Sequence, residues 1–279
     1  MLTIESLAEE IDHLAPVSNV AVKVMALLDD PDCGMSDLSD IIRHEPALTA
    51  NVLKLANSSY FGLPSKIDDA KQAIVYLGMS QVVELVLLAA CAKSFAVVCD
   101  GYGLGAGELW QSAVSAAIVA NDLAQIKGLK HTSPVFTGAL LRDIGKVVLH
   151  QYVNNAIEPI LERVKSQGLT FRQAERQVLG FDHNQVGAMI VRHWHFPPAL
   201  PCIIGSYHTP FEAEGCFLEA SIVYLADAVC RKLGIGLGVD GASYSEDERV
   251  ARSLALDDHA IRKVTDGFGE KWEHVQALF

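Results

Sequence analysis

From Ile4 almost to the C-terminus, apolar side chains recur three and four positions apart, the spacing that lays one stripe along a helix. Ile4, Leu7 and Ile11 open the pattern, and Val17, Val20, Val24 and Leu28 repeat it. Alternating, strand-like runs are scarce, so the chain is predicted to be all-α, each stripe burying itself against another helix. Asp29-Asp30-Pro31 closes the second helix, and Ser36 is placed to cap a third whose inner face carries Leu38, Ile41 and Ile42. Pro46 falls in the first turn of the next helix, where its missing N–H costs nothing, and Leu48, Val52 and Leu55 follow on one face up to Asn57. The tail NSSYFGLP is turn chemistry, with Tyr60 and Phe61 expected to fold back beneath the helix. A shorter helix with Ala70, Ala73, Ile74 and Leu77 stops at Gly78, and Ser80 can cap the apolar stretch Val82 to Val98. Glu84 and Lys93 interrupt that stretch, which reads as a buried helix rather than a membrane span.

Residues 100–107, DGYGLGAG, place four glycines in eight positions, too many to hold a helix and suited to a flexible crossover. The expected division is a helical lobe over 1–100, a Gly-rich junction over 101–107 and a second helical lobe over 108–279. In the second lobe Trp110, Val114, Ala117 and Ile118 share a face, and a helix started by Pro134 turns Phe136, Leu140, Ile144 and Val147 inward. Further helices are expected near 153–166, 170–179, 182–194, 197–207, 216–233 and 257–276. Asp182 and Gln185 have the spacing of a capping box, and Val186, Met189 and Ile190 follow as the inner stripe. His193 continues that stripe and is expected to pack on the core, before Phe196-Pro197-Pro198 ends the helix.

Composition narrows the function. Half of the 279 residues are hydrophobic and a fifth are charged, enough for a large core, and the net charge is -12. Such a surface repels phosphate backbones and anionic headgroups, and no run of Lys and Arg makes a local exception, so neither nucleic acid nor membrane is expected as a partner. Protein partners and small molecules remain. The six cysteines, at 33, 91, 99, 202, 216 and 230, include no CxxC pair and are expected to be free, mostly buried thiols. MLTIESLAEEIDHL lacks the basic start and apolar core of a signal peptide, which predicts a cytoplasmic protein. GIGLGVDG at 234–241 has the glycines of a dinucleotide loop but follows a helix rather than a strand, so it reads as a plain loop.

Several segments in order carry a family likeness: PVSNVAVKVMALLDDPD, LSDIIRHEPALTANVLKLANSSYFGLP, AIVYLGMSQVVELVL, LWQSAV, FTGALLRDIGKVVL, FDHNQVGAMIVRHWHFP and SYHTP. Together they resemble the HDOD domain, a divergent branch of the HD phosphohydrolase superfamily, over nearly the entire chain. The resemblance implies a two-lobed, all-helical bundle with an HD-like C-terminal lobe, and a role in bacterial signalling through partner proteins.

Catalytic HD proteins hold a divalent metal with a histidine on one helix, a His-Asp pair on the next and a distant aspartate. The resemblance puts those positions at Gln111, Arg142 with Asp143, and Asp227. Two ligands are thereby replaced, since Gln111 offers a neutral amide and Arg142 a permanent positive charge that cannot bind a cation. Arg142 is expected either to pair with Asp227 or a nearby acid, replacing the metal structurally, or to point into solvent. His183 and His208 match the extra histidine ligands of binuclear relatives, so Asp143, His183, His208 and Asp227 form a set acceptable to iron, manganese or zinc. The leading expectation is a non-catalytic module without a cofactor, meeting its partner at a groove bordered by Tyr60, Phe61 and Trp110. The alternative is a metal-dependent phosphohydrolase acting on a nucleotide or cyclic dinucleotide; a third reading is an anion sensor using Arg142 and Lys146.

Overall fold

Helical stripes with no sheet to cover them can only pack on one another, and they do so throughout the computed structural model, which describes residues 3–13, 19–28, 34–58, 63 and 65–276. The first lobe contains α1 (Ile4–His13), α2 (Asn19–Leu28), α3 (Met35–Arg43), α4 (Pro46–Ala56), α5 (Ala70–Leu77) and α6 (Met79–Phe95). The second contains α7 (Glu108–Ile126), α8 (Ser133–Leu141), α9 (Gly145–Asn155), α10 (Ile157–Gln167), α11 (Phe171–Leu179), α12 (His183–His193), α13 (Ala199–Ser206), α14 (Phe217–Lys232), α15 (Glu248–Ser253) and α16 (Asp258–Gln276). Among the described residues there is no strand, only an isolated bridge between Cys99 and Leu104. None of these helices is long and apolar enough to cross a membrane.

Two helices organise the core. α6 is apolar on nearly every side, with Val82 to Leu87 all buried, because it is sandwiched between α2, α4 and α5 of its own lobe and α7 and α8 of the other. α7 is buried almost from Leu109 to Ala124 and packs on α8, α14 and α16. Trp110 belongs to this core, 7% exposed and with its ring 5.9 Å from that of Phe95. Tyr60, Phe61 and Cys33 lie outside the described residues.

Several local expectations are corrected. α3 is capped by Gly34, whose N–H donates to the Asp37 carboxylate at 2.8 Å, and α6 by Gly78, so neither Ser36 nor Ser80 is a cap. The helix expected from Pro134 through Val147 breaks at 142–144 into α8 and α9. His193 is exposed and Trp194 takes the buried place, because α12 turns over at its C-terminus before Phe196. The glycine-rich segment is not a loose crossover. It forms a 3-10 turn at Asp100–Tyr102 with Tyr102 fully buried, and Gly101 lies so close to α9 that a Cβ there would stand 2.1 Å from the His150 carbonyl oxygen. Cys202 and Cys216 are joined in a disulfide, whereas Cys91, Cys99 and Cys230 are buried free thiols. No spacing rule announces a pairing between residues on different elements, since the fold alone brings their Cβ atoms together.

The closest helix approach is at Gly145, where a Cβ would meet the His183 carbonyl oxygen at 1.9 Å and the Gly187 nitrogen at 2.7 Å. Backbone cannot move aside as a side-chain tip can, so Gly145→Ala is expected to cost about 3 kcal/mol or more in urea denaturation. Gly168→Ala, whose Cβ would meet nothing within 4 Å, should cost only the left-handed backbone strain, about 1 kcal/mol. A second outcome concerns Glu84, buried in α6, whose carboxyl is pushed up to about 8 by burial, with a Thr132 hydrogen bond opposing the shift. The folded chain keeps that proton while the unfolded chain sheds it above about pH 4.3, so stability falls as pH rises toward the folded value. Glu84→Gln should therefore gain stability relative to wild type between those limits, by an amount on the order of a few kcal/mol.

Candidate functional site

The break between α8 and α9 creates the site. Ile144 N–H bonds to the Leu141 carbonyl at 3.0 Å and Lys146 N–H to the Asp143 carbonyl at 2.9 Å, tight turns that rotate the chain. Consecutive Arg142 and Asp143 are both buried at this break. Arg142 is 2% exposed and its guanidinium is fully engaged. Nε donates to Asp227 Oδ1 at 3.1 Å, Nη2 to Ser112 Oγ at 2.7 Å, and Nη1 to the carbonyls of Ser112 and Ala139 at 3.3 and 3.2 Å. Gln111 is only half-buried, and it is the following residue, Ser112, that the helix turns toward Arg142.

Around Arg142 runs a chain of alternating charges. Arg231 Nε lies 3.0 Å from Asp227 Oδ2, Arg142 joins Asp227 to Asp143 (3.4 Å), Lys146 Nζ lies 3.3 Å from Asp143 Oδ1, and it ends 2.8 Å from Asp240 Oδ2. Three cations and three carboxylates thus neutralise one another. Burial would raise the Asp143 carboxyl, but Lys146 and Arg142 hold it well below the usual range, and Tyr207 OH donates to it at 3.2 Å. Burial likewise works to discharge Lys146, yet Asp143 and Asp240 keep it charged above the ordinary lysine range. Arg142 and Lys146 are each buried against two acids and do not face open solvent.

The 234–241 loop closes the cluster. A Cβ at Gly236 would stand 2.4 Å from Ser112 Oγ and one at Gly238 2.3 Å from the Tyr102 carbonyl oxygen, so the glycines there serve close packing. Val239 N–H donates to that same carbonyl at 2.8 Å, and the turn delivers Asp240 to Lys146.

A second buried network adjoins the first. Glu175 of α11 accepts from Tyr102 OH at 2.5 Å through one oxygen and contacts His183 Nδ1 at 2.6 Å through the other. His183 Nε2 has no hydrogen-bond partner; its ring meets His208 edge-on, with centroids 5.6 Å apart. His208 stacks on Tyr244 at 4.3 Å, and borders a pocket of about 260 Å³ with Phe211, Tyr224 and Arg249. Burial lowers His183, but the Glu175 carboxylate and its hydrogen bond raise it above the ordinary value. His208 is held well below that value by burial, then by the charge of His183 and of Arg172.

The donor set does not fit a divalent ion in this arrangement. Asp143 and Asp227, which would be ligands, already neutralise Arg142, Lys146 and Arg231, and no three His, Cys, Asp or Glu side chains among the described residues gather to hold a metal. Of the residues singled out from sequence, Arg142, Asp143, Lys146 and Asp227 form one cluster and His183 and His208 another. Ser112, Asp240, Tyr102, Glu175 and Tyr207 escaped notice, since only the fold brings them near. Arg231, four residues after Asp227, did carry a helical pairing signal.

The fold is that of a two-lobed, all-helical bundle. The HDOD domain family profile matches residues 14–210, and the chain belongs to that family. An HDOD domain protein of unknown function from Geobacter sulfurreducens is 23% identical, with 99% of each chain covered and a TM-score of 0.77. A Shewanella amazonensis SB2B protein provisionally named a phosphohydrolase is 22% identical, with 98% of each chain covered and a TM-score of 0.73. A Marinobacter aquaeolei VT8 protein provisionally named for signal transduction is 22% identical over 98% of this chain and 60% of its own, with a TM-score of 0.75. The chain spans 44% of the length of the curated relative it matches, a Treponema pallidum (strain Nichols) protein 22% identical over 241 residues. Likeness at this level carries the fold and not the activity.

Removing the hub of the ion chain leaves buried carboxylates uncompensated, so Arg142→Ala should cost about 3–5 kcal/mol by urea denaturation at neutral pH. Because the Asp143 carboxyl is held below its unfolded value of about 4, the loss should shrink as pH falls under that value. Imidazole nitrogen NMR should find the two histidines titrating on opposite sides of about 6.5, His183 above and His208 below.

Proposed function

We propose that this chain is a cytoplasmic, non-catalytic regulatory module of signal transduction that acts by binding protein partners. The observation that carries the reading is the ion chain: Arg142 and Lys146 bring two positive charges into the cavity where HD relatives keep a cation, and they satisfy Asp143, Asp227 and Asp240. A guanidinium held by four hydrogen bonds and a lysine between two carboxylates are costly to displace, because an entering metal would strand both charges in a poorly solvated place. No step of metal-assisted hydrolysis is therefore derived. A net charge of -12 argues for protein rather than nucleic-acid or lipid partners, and Val75 and Tyr76 present adjacent, exposed apolar side chains on α5.

Elemental analysis of protein purified without chelator tests this directly. The expected result is folded protein without stoichiometric iron, manganese or zinc, and no change in that content in His183→Ala. Near-stoichiometric metal that disappears in His183→Ala would overturn the reading in favour of a metal-dependent phosphohydrolase.

A further inference from the structure

The Cys202–Cys216 bond lies outside the ion chain and the histidine network. Its Cα atoms are 6.2 Å apart, and it joins α13 to the residue preceding α14, fourteen positions on. The remaining described cysteines are different in kind. Cys91, Cys99 and Cys230 are buried thiols pushed up by burial to about 12, 11 and 12, which leaves almost no thiolate to react. A single bonded pair among inert reduced thiols is the pattern of a redox-responsive site rather than of a disulfide scaffold.

The pair is asymmetric in access. Cys202 is half-buried and lines an open groove of about 1070 Å³ with Phe181, Met189, Phe196 and Pro201, whereas Cys216 is buried. An incoming thiolate can therefore reach Cys202 and not its partner. Cys202 Sγ also lies 3.4 Å from the Glu214 carbonyl oxygen, an acceptor for its S–H once the bond is open, so both oxidation states are accommodated.

The segment closed by the bond contains part of the histidine network. Tyr207 is anchored to Asp143 and His208 stacks on Tyr244; beyond them the 3-10 turn at Pro210–Glu212 packs on α14, with Pro210 and Ala213 buried and Phe211 against Phe217, and Glu214 and Gly215 then lead to Cys216. The disulfide is what fastens the far end of this segment to α13.

We propose that Cys202 and Cys216 form a reversible thiol–disulfide switch, addressed at Cys202 by a low-molecular-weight thiol entering from the groove, which sets the order of residues 209–216 beside the His208 pocket. Reduction begins when a thiolate RS⁻ attacks Cys202 Sγ; the RS–Sγ bond forms, the Cys202–Cys216 bond breaks, and Cys216 departs as thiolate and takes up a proton. A second RS⁻ attacks the RS sulfur of the mixed disulfide, giving RSSR and the Cys202 thiolate, which is protonated in turn. Two electrons pass from two thiols to the pair, and RSSR drives the reverse reaction. This inference does not depend on the partner-binding reading above.

The test equilibrates the full chain with glutathione buffers of graded reduced-to-oxidised ratio, followed by differential alkylation, peptide mass spectrometry and amide hydrogen exchange. The pair should pass from bonded to dithiol within that range, and in Cys216→Ser a glutathione adduct should be trapped on Cys202 with none on Cys91, Cys99 or Cys230. On reduction, residues 209–216 should exchange roughly tenfold faster while 142–148 are unchanged. Cys202→Ser, which removes the bond from the other side, should reproduce the fast exchange without glutathione. A bond that survives excess dithiothreitol in the folded protein, or never forms in oxidised glutathione, would overturn the switch, as would exchange at 209–216 that is the same in both states.

Discussion

A guanidinium buried at the centre of a helical lobe dictates where its neighbours must go. Taken out of water, Arg142 needs partners in every direction its five N–H groups point, and the fold supplies them from separate elements: Ser112 of α7, the Ala139 carbonyl of α8, Asp227 of α14 and, beside it, Asp143. The two carboxylates among these partners in turn carry charges that must be balanced. Arg231 and Lys146 balance the carboxylates, and Asp240 balances Lys146, so the chain ends where the charges close. Helix positions in the second lobe are thereby tied to electrostatics as much as to apolar packing.

The backbone accommodates this through close approaches. α9 starts against the His183 carbonyl because Gly145 has no Cβ, and the 234–241 loop settles on Ser112 and Tyr102 through Gly236 and Gly238. The same approaches bring the glycine-rich junction into the core. Tyr102, its one large residue at the turn, reaches Glu175, and Glu175 orients His183, so the connection between lobes is read directly by the histidine network. A loose linker would have left Glu175 and His183 without their third member.

The two networks adjoin each other in the interior of the second lobe. One is a neutral, closed salt-bridge cluster. The other places two imidazoles with opposite protonation tendencies next to a small aromatic pocket. The disulfide at Cys202 and Cys216 fastens the wall of that pocket, which is why redox chemistry at a groove on the surface has a route to the interior.

The sequence by itself determined the all-helical class, most helix limits and the family. These follow from local facts, the 3.6-residue period of apolar side chains, capping chemistry such as Asp182 with Gln185, and residue identity within family motifs. It did not reveal the helix break at 142–144, because tight-turn geometry there is favoured by what Arg142 and Asp143 meet and not by glycine or proline within the turn. Nor did it reveal that Asp240 pairs with Lys146, 94 positions away, that Ser112 rather than Gln111 faces the cluster, or that Cys202 finds Cys216. Those were decided by tertiary structure alone, since pairing between buried charges or sulfurs depends on distance in space, and no periodicity along the chain encodes which two loops will meet.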